Sequence, residues 1–347
     1  TSVLRLLFCP KQRSDWHLPM RVRHQVRHQV PACKGGTIRL YCHRSFCERP
    51  PGIWTKSSGG PKSLGDRVSA SRAQPFLRWA GSKRQLLPIL ERYWCDGYDR
   101  YLEPFAGSAC LYFRLRPRKA LLGDANAELI QTYRAIKKEA AVVAEHLLRL
   151  KKGREEYLRL RSLDPERLTP SERAARFIYL NRFCFNGLYR TNAAGQFNVP
   201  YGGDKAGNLP SPGTLSECSR LLRTARLVQG DFEGVLKLAE PGDFVYMDPP
   251  FSVANRRVFA EYNPTVFGPS DLARLRFWME SLAERNIAFL VSYADCAEAE
   301  ALRKDFEAEK VTVKRNIAGF AARRGESGEV LIYNTTPGAR RLQSHVV

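Results

Sequence analysis

The stretch Phe244-Val245-Tyr246-Met247-Asp248-Pro249-Pro250-Phe251 sets a carboxylate, two prolines and an aromatic ring at the end of an apolar run. Adjacent prolines fix two φ angles and remove two amide donors, which leaves backbone carbonyls free to meet a ligand. With the carboxylate they form an acceptor-rich corner suited to N–H groups, and Phe251 offers a face for a flat ring. Two further apolar runs end in groups that could serve the same ligand. Glu103-Pro104-Phe105-Ala106-Gly107-Ser108 is an acid followed by a glycine turn, with small residues where a ligand would approach. Asp124 stands 17 positions beyond Gly107 and closes a run of its own. An acid there suits the two ribose hydroxyls of a nucleoside-containing cofactor. Beside Asn126 it equally suits the structural role of a helix-start acid.

These groups need strand ends to hold them, and the pattern supplies strands. YDRYLEPF (98–105), KALLGD (119–124), DFVYM (243–247), NIAFLVSYAD (286–295) and GEVLIYN (328–334) read as short strands. Between them, residues 126–150 have helical spacing through Leu129, Tyr133 and Ile136. Residues 270–285 form a second helix, with Ser270 as its cap and Leu272, Leu275, Met279 and Leu282 on one face. Strand alternating with helix predicts an open, twisted α/β sheet covered on both faces. In such sheets ligands sit beyond the carboxyl ends of the strands. The alternation breaks near 145–225, where a basic helical stretch precedes RTNAAGQFNVPYGG (190–203), a hairpin with Gly195 near its turn. That break marks an inserted domain.

The net charge is +21, and residues 1–75 hold 14 Lys/Arg against 3 Asp/Glu. About half the excess therefore lies outside that opening fifth, so the folded part is itself basic, as expected of a partner for phosphates. Residues 1–74 lack sustained periodicity and read as a basic, low-order extension. Its Cys33, Cys42, His43 and Cys47 match no zinc-ligand spacing, and no metal is expected. Nine scattered cysteines favour reduced thiols in a cytoplasmic setting. No apolar run approaches the roughly 20 residues of a membrane span.

Four stretches taken together resemble one family. FLRWAGSK (76–83), EPFAGSACLYF (103–113), FIYLNRFCFNGLYRTNAAGQFNVPYG (177–202) and DPPF (248–251) are similar, in this order, to the Dam-like (D12 class) DNA adenine-N6 methyltransferases. The resemblance implies a Rossmann-like S-adenosylmethionine-dependent methyltransferase core with an inserted helical plus β-hairpin DNA-recognition domain. It divides the chain into a catalytic core at 75–144 and 226–335, a recognition domain at 145–225 and a tail at 336–347. It implies a prokaryotic or phage-encoded protein acting on double-stranded DNA, and leaves a cognate restriction enzyme undetermined. Trp79, Lys83, Glu103, Phe105, Gly107, Asp124 and Asp248 are then expected at the cofactor. Asp248, Pro249, Pro250 and Phe251 form the catalytic motif. Asn186, Arg190 and Asn192 are expected to read bases, and Arg323 and Arg324, with Lys314 and Arg315 nearby, to hold phosphate. Ala109 stands where the family often has a second glycine, and Phe251 replaces the commoner tyrosine. Two other readings are open to the residues alone: an amino-group methyltransferase acting on RNA, and a DNA-binding module with a decayed site. No Pro-Cys pair is present, which removes the nucleophile that a cytosine carbon-5 methyltransferase needs.

Overall fold

A computed structural model describes residues 74–203, 207–250, 267–314, 326–335 and 337. Seven strands form one sheet: β1 (Tyr101–Glu103), β2 (Ala120–Asp124), β3 (Ala225–Gln229), β4 (Phe244–Met247), β5 (Ala288–Ala294), β6 (Glu307–Lys314) and β7 (Glu326–Tyr333). Their order across the sheet is β3-β2-β1-β4-β5-β7-β6, parallel except for β7, which runs antiparallel to both β5 and β6. The chain order reverses between β1 and β4, and their carboxyl ends therefore open a crevice. β3 and β6, both at the sheet edges, went unread in the sequence. β3 has only one fully buried residue, and four of the eight residues of β6 are charged.

The helices are α1 (Leu87–Leu90), α2 (Cys110–Leu115), α3 (Ala127–Leu148), α4 (Arg154–Ser162), α5 (Pro170–Phe183), α6 (Pro212–Leu222), α7 (Glu233–Leu236), α8 (Pro269–Glu284) and α9 (Ala297–Arg303). Strand alternation sorts them into two layers. Tyr101, Leu122, Phe244, Tyr246 and Leu290 point to a hydrophobic cluster with α2, α3, α5 and α6. Leu102, Leu121, Val245, Met247, Phe289 and Val291 point the other way, to a cluster with α7, α8 and α9. Both faces are dry, which is why β4 reads as an unbroken apolar run.

Local caps set the helix starts. Asn126 accepts the Leu129 N–H at 3.0 Å to open α3, and Thr169 with Glu172 forms a capping box on α5 behind Pro170. The helix expected to be capped by Ser270 starts one residue earlier. Gly268 is its N-cap, and Asp271 accepts the Gly268 N–H at 2.9 Å. The acid one turn into the helix does the capping because Pro269 at the first position needs no partner for its nitrogen.

The stretch 145–225 shares packing with the sheet domain. Tyr157, Leu160, Phe177, Ile178, Phe183, Phe197 and Val199 lie in the same hydrophobic cluster as Phe76, Tyr112 and Tyr133. Its hairpin is held by two isolated bridges, Cys184 with Tyr201 and Thr191 with Phe197, and Gly195 adopts φ +75° at the turn. Tyr157 donates its hydroxyl to the Val199 carbonyl at 2.9 Å, which ties the returning strand to α4.

Candidate active site

Asp248 leaves β4 into the crevice with its side chain partly open, and a buried lysine meets it. Lys83 Nζ lies 2.7 Å from Oδ1 and 3.0 Å from Oδ2 of Asp248, and also donates to the Gly81 carbonyl at 2.9 Å. Only 4% of the lysine side chain is exposed, and Glu329 of β7 lies 3.9 Å away. Burial works to lower the Lys83 pKa, but Asp248 and Glu329 outweigh it and hold the pKa above its usual value. The ammonium therefore stays charged, and a buried charge of this kind is retained only because it is paired. Residues 83 and 248 are 165 positions apart, and only the tertiary structure brings them together.

The second strand end is built around Gly107, which adopts φ +46°. A Cβ there would stand 2.8 Å from Trp79 Cδ1, so only glycine lets the indole lie on the loop. Ala109 occupies the left-handed region at φ 49° just before α2, a strained conformation for a residue with a side chain. The Gly107 N–H donates to Asp124 Oδ2 at 3.0 Å, and the Asn126 N–H donates to Oδ1 at 2.9 Å. Each carboxylate oxygen of Asp124 therefore keeps one lone pair for a ligand. Burial pushes the Asp124 carboxyl up to about 6, against the lowering effect of those two N–H groups.

Glu103 is 2% exposed at the end of β1 and accepts the Tyr101 hydroxyl at 3.0 Å. Burial raises its pKa well above the usual carboxylate range, and the charges of Asp248 and Asp124 raise it further. The acids from three strand ends thus share one electrostatic site. Phe105 turns away from this cluster. It stacks on Phe232 with centroids 5.2 Å apart and meets Phe267 edge-on at 6.0 Å.

The stretch 145–225 buttresses the opening segment. Trp79 stacks against both Tyr189 at 6.1 Å and Phe177 at 6.5 Å, which meet each other at 5.7 Å. Asn181, 2% exposed, accepts the Arg78 N–H at 2.8 Å and returns an N–H to the Arg78 carbonyl at 2.5 Å. Asn181, Phe183 and Tyr189 are thereby committed to packing, whereas Phe185 stays 44% exposed. Asn186 sits beside Phe185, half-buried in a left-handed turn at φ 54°. Arg190 donates to Asn198 Oδ1 at 2.8 Å across the hairpin. Asn192 is exposed, but its Oδ1 accepts the N–H groups of Ala194 at 3.0 Å and Gln196 at 2.9 Å. Phe251, Arg315, Arg323 and Arg324 lie outside the described residues, as does the side chain of Lys314. Among the described residues no group of His, Cys, Asp or Glu is placed to hold a metal ion, and no helix is long and apolar enough to cross a membrane.

Three side chains at this site were not singled out in the sequence. Ser292 reaches Asp248 from β5, Tyr246 of β4 reaches Ser292, and Phe232 follows β3 and stacks on Phe105. For Ser292 the signal was available, since it is a hydroxyl set inside an otherwise apolar strand.

Comparison with known proteins gives this arrangement its context. The Type II methyltransferase M1.LlaDCHI of Lactococcus lactis subsp. cremoris is 36% identical over 270 residues, covering 75% of this chain and 95% of its own length. The Type II methyltransferase M.MjaIII of Methanocaldococcus jannaschii is 32% identical over 267 residues, covering 70% and 92%. The DNA adenine methylase of Escherichia coli (strain K12) is 29% identical over 261 residues, covering 74% and 93%. The profile of the D12 class N6 adenine-specific DNA methyltransferases matches residues 79–317, a span that contains the buried lysine, the glycine loop and the acid before two prolines. The chain belongs to that family, and its reaction is methylation of the adenine amine of DNA.

Proposed function

We propose that Asp248 and the carbonyls of the Pro249-Pro250 turn accept the two N–H bonds of an adenine amine, with Phe251 stacked on the base. The lone pair of that amine is delocalised into the ring, so it is a poor nucleophile. Two well-placed acceptors favour its pyramidal form and offset the positive charge that grows during transfer. The base must leave the duplex to reach this corner. The single observation that carries the reading is the buried Lys83–Asp248 pair at the mouth of the crevice.

The remaining strand ends suit S-adenosylmethionine. When bound, it supplies a methyl carbon that forms the new N–C bond while the S–C bonding pair stays with sulfur. Asp124 offers the ribose hydroxyls one lone pair on each oxygen, and the Gly107 loop allows close backbone approach. Trp79, Glu103 and Lys83 wall the same space, and the stacked Phe105 and Phe232 offer an apolar face beside it suited to a flat heterocycle. A nucleoside-bearing sulfonium fits this set of acceptors, aromatic faces and carboxylates.

For DNA, we assign base contact to Asn186 and Arg190 and phosphate contact to Arg323 and Arg324. Asn192 lends only the part of its amide that the turn leaves over. Residues 145–225 act as the recognition domain on the catalytic core of 75–144 and 226–335, in a cytoplasmic setting. A labelled-methyl assay on duplex DNA tests the core of this reading. Asp248→Ala should abolish transfer while DNA binding stays near wild type. Near-normal turnover of this variant would falsify the assignment.

A further inference from the structure

Asp248 is the end point of a buried hydroxyl chain. Tyr246 and Ser292 are 1% and 0% exposed, and the phenol oxygen lies 2.9 Å from the serine Oγ. Ser292 Oγ in turn donates to Asp248 Oδ1 at 3.0 Å. An ionised carboxylate can only accept, so the one serine proton is committed to Asp248. The lone pairs of Ser292 are then left to accept from Tyr246. That phenol keeps its proton, because burial and the Asp248 charge raise its pKa well above the usual value. The chain therefore has one polarity, from Tyr246 through Ser292 to Asp248.

Asp248 is thereby held from two directions. Among the described residues, Oδ1 accepts the Ser292 hydroxyl at 3.0 Å and Oδ2 accepts a Lys83 N–H at 3.0 Å, with the ammonium also 2.7 Å from Oδ1 as an ion pair.

We infer that Ser292, backed by Tyr246, is a positioning residue that, together with Lys83, fixes the rotation of the Asp248 carboxylate so that one oxygen is held where it meets the adenine amine. The inference rests on the reading of Asp248 as the amine acceptor. As nitrogen gives its lone pair to the incoming methyl, its N–H bonds become more acidic and the bond to that oxygen strengthens. One of those protons then passes to water, which leaves a neutral secondary amine. Without Ser292 the carboxylate can rotate about its Cβ–Cγ bond and share Lys83 differently, so that no single oxygen is held at the amine.

Four variants of the full chain test this: Ser292→Ala, Ser292→Thr, Tyr246→Phe and Asp248→Asn. Steady-state methylation of duplex DNA is followed, with thermal melting as the control for folding. Ser292→Ala should lower kcat by about ten- to a hundredfold and leave KM for DNA and for S-adenosylmethionine within about twofold. Ser292→Thr, which keeps the hydroxyl, should recover most of the rate. Tyr246→Phe, which removes one oxygen, should lower kcat by less, with KM again unchanged. If Ser292→Ala keeps wild-type kcat while Asp248→Asn is dead, the inference is overturned. If Ser292→Ala does not fold, a wild-type kcat in Tyr246→Phe overturns it instead. Substantial activity in Asp248→Asn removes the underlying reading of Asp248.

Discussion

The strand-end site and the hairpin of residues 184–203 are both built from polar side chains, but their hydrogen bonds span different distances along the chain. Lys83 and Asp248 are 165 residues apart, Ser292 and Asp248 are 44 apart, and Gly107 and Asp124 are 17 apart. In the hairpin, Arg190 pairs with a residue 8 away, and Asn192 pairs with residues 2 and 4 away. The first set is held by the sheet and can hardly move without it. The second is held by its own turn, with Gly195 in the left-handed region, and can change one side chain at a time. This division suits the two tasks. Chemistry needs fixed geometry in a water-poor corner, whereas sequence choice needs contacts that can be altered singly.

The expected effects follow that difference, beginning where the bracing is tightest. Gly107→Ala should weaken S-adenosylmethionine binding by about a hundredfold or more. It places a Cβ against Trp79 and a side chain at positive φ, strain on the order of 1–3 kcal/mol before the clash is added. Isothermal titration with an unchanged Kd would show that the loop can relax, and the contrast with the hairpin would weaken.

Asp124→Ala should cost about 1.5–3 kcal/mol of cofactor affinity, roughly ten- to a hundredfold, with much less effect on DNA binding. The same residue predicts a pH dependence. Its carboxyl titrates at about 6, raised by burial, and its ionised form is the better acceptor for ribose hydroxyls. Cofactor affinity of the wild-type protein should therefore rise as pH increases through about 6. In Asp124→Ala this dependence should flatten, and titrations at several pH values decide the point.

Arg190→Ala should relax sequence choice at one base pair by about 1–3 kcal/mol and leave cofactor binding untouched. Duplexes carrying single-base substitutions, bound at several salt concentrations, separate this from a uniform loss. Uniform weakening would move base reading to Asn186 or the preceding helices.

Asn192→Ala has the smallest expected effect. Its carbonyl organises the turn, so the loss should be about 0.5–1.5 kcal/mol of local order and should weaken all sequences alike. A base-specific change in its place would show that the side chain leaves the turn to reach DNA.

Several features were legible in the sequence. The buried runs at 119–124, 243–247 and 286–295 are strands, and the long helix begins at Asn126. The glycine turn and the acids at 103, 124 and 248 do lie at strand ends, because period-two patterning and turn chemistry act over a few residues. The edge strands β3 and β6 escaped, since an edge strand is only half covered and its apolar signal is diluted. Asn181 is another instance: as a side chain it suits base reading, but the packing of α5 turns it onto the Arg78 backbone.

By itself the sequence determined which residues carry charge, which turns need glycine or proline, and where apolar runs stop. The motifs it displays point to one family, and the match over residues 79–317 bears that out. Only the tertiary structure decided which distant groups meet. It placed Lys83 and Ser292 on Asp248, and turned Trp79 onto Gly107 and against Tyr189 and Phe177. The physical reason is range. Backbone propensity and side-chain patterning are local, whereas a buried ion pair exists only once the sheet has ordered its strands and excluded water from the space between them.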